Sequence, residues 1–188
     1  MKRGIPQKTK RLTASAVLSA MGVALLLIGS LIETLDLSMA AMASFFCVFA
    51  VLEFGGAYPW LIYAVTGILS VIFMPQGMGG WFYILFFGYY PILKDKLQRL
   101  KAPISWTLKI LLLNLALILS LVFASFVFYN GNLYETFMLM FGDEGWGIYA
   151  AIGVYVLVNF VFVIYDIALN RLIVFYFVKI RSKFKFLK

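Results

Sequence analysis

The sequence predicts an all-α protein, an integral membrane bundle of six transmembrane helices with both termini in the cytoplasm. Three observations lead there: an apolar composition, a succession of long hydrophobic runs, and basic residues gathered where the chain emerges from them. Of the 188 residues, 64% are hydrophobic and 13% are charged. Soluble domains run nearer half apolar and about a quarter charged, because their surface must be wet. A chain of this size has no interior large enough to hide so much apolar surface, so a bilayer is its natural solvent.

A helix needs about 20 apolar residues to cross a hydrocarbon core roughly 30 Å thick. Six runs qualify: residues 12–32, 38–54, 58–74, 76–93, 105–129 and 147–170. The first is too long for the apolar part of a signal peptide and has no cleavage pattern after it, so it reads as a retained helix. The second stops at Gly55-Gly56, and the third opens on Pro59, which a first helical turn tolerates. The fourth is the weakest, because Gly77, Gly79, Gly80, Gly88 and Pro91 all disfavour a regular helix.

Charge assigns the sides. Lys2, Arg3, Lys8, Lys10 and Arg11 precede the first run. Lys94, Lys96, Arg99, Lys101 and Lys109 surround the gap between the fourth and fifth. Arg171, Lys179, Arg181, Lys183, Lys185 and Lys188 follow the sixth, completing the 16 basic residues. With six crossings every one falls on the same side, and insertion retains positive charge in the cytoplasm. The other side holds Glu33, Asp36, Glu135, Asp143 and Glu144. Trp60, Trp81, Trp106, Tyr129 and Trp146 lie near run ends, where amphipathic rings suit the headgroup zone. The net charge of +8 thus reads as anchoring to anionic lipid and not as a nucleic-acid surface. The expected location is the plasma membrane of a bacterium. One compact domain is expected over residues 1–188.

Three features stand out against this background. Ala16, Ala20 and Ala24 recur every fourth residue in the first run, a spacing that flattens one helix face and permits close approach of a second helix. Packing inside the chain and docking of another subunit are both open. Ala40 with Ser44 and Ala43 with Cys47 repeat the pattern in the second run. In the last run Tyr155, Asn159, Asp166 and Asn170 share a face. An intramembrane carboxylate is costly and faces the bundle interior or water. Lys109 is a possible partner for Asp166. The third feature is the connection 130–146, long enough for a lid or binding segment, with the apolar stretch 137–141 inside it.

Chemistry-bearing motifs are missing. There is no histidine, and Cys47 is the single cysteine, so neither a disulfide framework nor a Cys/His metal site is expected. No phosphate loop, HExxH or nucleophile elbow is present, and neither enzymatic activity nor a cofactor is expected.

Six spans in a short chain, cytoplasmic termini and the Ala16-xxx-Ala20-xxx-Ala24 face together resemble the substrate-binding S component of energy-coupling factor (ECF) transporters, bacterial and archaeal micronutrient importers. The resemblance implies that the alanine face contacts a transmembrane T subunit driven by two cytoplasmic ATPases. It also implies that a vitamin-like small molecule is captured near the outer face. Carried over by position, Glu33, Asp36, Gln76, Tyr83, Glu135 and Asp143 would lie near that ligand. The motifs of known ligand classes are absent, so the ligand stays unnamed. The alternative expectation is a non-catalytic structural or scaffold protein of the bacterial cell envelope, resembling the small six-span rod-shape protein MreD.

Overall fold

The computed structural model describes residues 6–128, 131–142 and 146–180. Every regular element among the described residues is helical. In chain order these are α1 (Gln7–Leu31), a 3-10 turn (Glu33–Leu35), α2 (Asp36–Glu53), α3 (Tyr58–Phe73) and α4 (Met78–Phe82). A π-helical turn (Tyr83–Phe87) follows, then α5 (Tyr90–Leu97), α6 (Ala102–Phe128), α7 (Leu133–Phe141), α8 (Trp146–Phe175) and a second π turn (Tyr176–Ile180).

Four helices among the described residues are long and apolar enough to cross a membrane: Gln7–Leu31, Asp36–Glu53, Ala102–Phe126 and Gly147–Lys179. Six spans are expected from the sequence, the fourth the least regular, and the third and fourth runs are not single helices of crossing length. With 16 residues, α3 rises about 24 Å at 1.5 Å per residue, short of the usual core thickness. The fourth run is divided into α4, the π turn and α5.

The physical cause of that division is visible around Tyr63. The amide of Gly88 bonds the carbonyl of Tyr83 at 2.7 Å, one residue further back than in an α-helix. The widened turn leaves the Ile84 carbonyl available, and the Tyr63 hydroxyl donates to it at 2.9 Å. Gly88 itself is pressed on Tyr63, where a Cβ would stand 2.4 Å from the ring. Helix α2 ends as its sequence suggests. Gly55 and Gly56 both adopt positive φ, 61° and 59°, which a residue with a Cβ adopts only at a cost.

The chain forms two compact units, with the division between Ser105 and Trp106. In the first, α1, α2 and α3 each pack on the other two, and α4 and α5 pack on α2. Its core holds Leu26, Ala40, Ala43, Cys47, Ala50, Phe54, Ile62 and Tyr83. The small side chains let α1 and α2 approach closely, the route to helix association when lipid removes the hydrophobic drive. In the second unit α7 packs on α8. The Asn132 side chain opens α7 by accepting from the Tyr134 amide at 3.1 Å, a helix cap of ordinary type. The apolar stretch 137–141 belongs to α7.

Candidate functional site

In the first unit the end of α1, the 3-10 turn, the start of α2 and the loop leading into α4 surround a cleft of about 780 Å³. Its wall is formed by Ser30, Thr34, Asp36, Leu37, Met74, Pro75, Gln76, Gly77, Met78 and Phe82. This volume falls in the range that holds small organic molecules. No described residue in the wall is basic.

The loop side is held in place by local bonds. The amide of Met74 closes α3 on Ser70 at 2.9 Å, and the amide of Gly77 bonds the Met74 carbonyl at 3.1 Å. The Trp81 indole N–H donates to the Pro75 carbonyl at 2.9 Å. Ser30 donates to the Leu27 carbonyl at 2.9 Å and lies in close contact with the Met74 sulfur. Irregular backbone at this point therefore has its polar groups engaged, as a cleft wall near a membrane requires.

Asp36 is the chemically distinctive member. It is only 9% exposed, and its Oδ1 has no hydrogen-bond partner among the described residues. Two glycines make room for it. A Cβ at Gly79 would stand 3.0 Å from Oδ1, and one at Gly29 would stand 3.3 Å away. A buried carboxylate normally has its oxygens satisfied, since an unmet acceptor costs about 1–3 kcal/mol and more when charged. Its place in the first turn of α2 gives it the favourable end of the helix dipole, a weaker compensation than a bonded donor.

Of the residues expected near a ligand, Asp36 and Gln76 line this cleft. Tyr83 lies in the core, fully buried, with its hydroxyl 3.2 Å from Cys47 Sγ. Glu33 has its backbone in the 3-10 turn, but its side chain lies outside the described residues, as do the side chain of Glu135 and all of Asp143. Ser30, Thr34 and Gly29 were not singled out by sequence as site residues, whereas Gly79 stood out in the Gly-rich connection 74–80, where irregular chain is tolerated if it lines a cavity.

The alanine face and the packing face of α1 are different. Ser15, Ser19, Gly22, Val23, Leu26 and Gly29 are the buried positions of α1, whereas Ala16, Ala20 and Ala24 are exposed. The small residues of α2 have the opposite fate, with Ala40, Ala43, Ser44 and Cys47 all fully buried.

Among the described residues of the second unit, α6 and α8 share a buried ion pair. Lys109 Nζ of α6 donates to Asp166 Oδ2 of α8 at 3.0 Å, with side chains 5% and 0% exposed. The ammonium also lies 5.1 Å from the Trp106 ring centroid, a cation–π distance. The rest of the expected stripe differs in character. The Asn159 amide donates to the Tyr155 carbonyl at 2.9 Å on a more exposed part of α8. No group of three or more metal-ligating side chains occurs among the described residues.

Comparison with family models, with curated proteins and with solved structures finds no match to this chain.

Proposed function

We propose that the chain is the membrane-embedded substrate-binding subunit of an importer of the ECF type, capturing a small molecule at the outer face. The observation that carries this reading is the cleft of the first unit, where three neutral polar side chains and an unmatched carboxylate meet between ordered loops. A buried carboxylate with an unmet acceptor is costly, and a cleft beside it supports ligand recognition. The exposed alanine line on α1 supports the second half of the reading. It leaves a flat face open while a neighbouring line of small residues performs the internal packing.

In this reading the chain crosses the membrane six times with both termini cytoplasmic. The broken segment formed by α4, the π turn and α5 completes the fourth crossing, and α3 makes the third with help from flanking residues. The cleft then opens to the outside, because the ends of α1 and α3 lie opposite the basic clusters.

Two measurements test this. The chain, co-expressed with a T subunit and its two ATPases, is expected to purify as a complex. Ala16→Trp and Ala20→Trp should abolish that association while leaving the chain folded, since both positions are exposed. Assembly and transport by these variants would refute docking through α1, and recovery with cell-wall synthesis proteins in place of a T subunit would move the chain to the MreD-like reading. For topology, a cysteine placed in the connection 130–146 should react with a membrane-impermeant maleimide from outside intact cells. Native Cys47 is fully buried and gives a silent background. Labelling only after lysis would overturn the six-span arrangement.

A further inference from the structure

Resting on that reading of the cleft, we propose that its ligand is a small organic cation whose ammonium group is recognised by Asp36. The charge argument is direct. Asp36 is nine-tenths buried in the cleft wall, and among the described residues Oδ1 meets no donor and no Lys or Arg lines the space. Gly29 and Gly79 both give up a side chain beside this carboxylate, so the local packing accommodates the charge without neutralising it. A bound cation would pair with the carboxylate through a charge-assisted hydrogen bond.

Size and lining select an organic ion over a metal. The space is about 780 Å³, far larger than a bare cation needs. Among the described residues one carboxylate lines the cleft, short of the several oxygen ligands that divalent ions demand, and no metal-ligating cluster exists among them. Met74, Met78 and Phe82 offer polarisable and aromatic surface to the ligand's apolar body, and soft thioethers adapt to irregular shapes. Ser30 and Gln76 supply neutral hydrogen bonds.

The test uses the full chain in lipid nanodiscs and a small-molecule extract of the source cells, separated by ion exchange into a cationic pool and a non-cationic pool. The cationic pool should raise the Tm of the wild type by several degrees, as saturating ligands do. Asp36→Asn should remove that shift. Because Asp36→Asn alters a buried position, a second pair keeps the result decisive. Thr34 is exposed at the cleft, so Thr34→Lys places a tethered ammonium there and should abolish the shift, while Thr34→Gln, similar in length but neutral, should keep it. A shift produced by the non-cationic pool instead would leave the binding-subunit reading standing and overturn the cation assignment. Equal shifts in the wild type, Asp36→Asn and Thr34→Lys would place the cation elsewhere and overturn it too. No shift from either pool would remove ligand capture itself, and the cation with it.

Discussion

The two units of this protein solve the same problem by different means. In the first, α2 has 39% of its most apolar stretch buried within the chain; in the second, α8 has 11%. The first unit associates through small residues, with Gly22, Ala40, Ala43 and Cys47 letting helices approach closely. The second exposes rows of large apolar side chains along α6 and α8, and a buried Lys109–Asp166 bond joins the two helices. Such exposure would be costly in water. In lipid it is not, because hydrocarbon solvates a leucine as well as a protein core does, and only tight packing or polar pairing distinguishes the bound state.

The largest effect expected from this contrast comes from breaking the ion pair. Asp166→Ala or Lys109→Ala leaves an uncompensated buried charge and should cost about 3–5 kcal/mol, read as loss of folded protein in detergent. The double variant Lys109→Met/Asp166→Leu should recover most of that loss. Equal damage from single and double variants would mean that the pair does not act as a unit.

A smaller effect separates the packing styles. At Gly22 a new Cβ would stand 2.9 Å from the Thr66 side chain, so Gly22→Val should cost about 1–3 kcal/mol through overpacking. At Gly153 of α8 nothing lies within 4 Å, and Gly153→Val should be close to neutral. Thermal unfolding of the two variants side by side checks this. Similar losses at both positions would erase the distinction between the units.

The smallest effect serves as the control. Arg99 and Asp95 form a bond at 3.1 Å, but their side chains are 77% and 46% exposed. Asp95→Asn should cost less than about 0.5 kcal/mol, and its small effect should shrink further at high salt. A loss comparable to that of Asp166→Ala would show that burial is not what gives the Lys109 pair its weight.

Several elements are legible in the sequence. Gly55-Gly56 ends α2 because two adjacent residues without Cβ atoms can turn where others cannot. The pairing of Lys109 with Asp166 follows from two opposite charges with nowhere to go in a bilayer but toward each other. The glycines and Pro91 warned of an irregular fourth run, yet not of its form. The π turn depends on Tyr63, some twenty residues earlier, reaching the Ile84 carbonyl, and no local pattern announces that. The alanine spacing was visible, but the face that α1 uses for its internal packing was not. Serine and glycine one position away, at Ser15, Ser19 and Gly22, are equally small and took that role. Tyr83 carried no sign that its hydroxyl would lie beside Cys47 in the core.

The sequence by itself determined that this is a helical protein with apolar segments of membrane-crossing length. Those properties are sums of local transfer energies, and summing them needs no knowledge of which residues meet. Tertiary structure alone decided that Asp36 is buried between Gly29 and Gly79 without a donor, that the alanine line stays open, and that the fourth run is broken. Each of these depends on contacts between residues far apart in the chain, where a difference of an ångström decides whether a polar atom finds a partner.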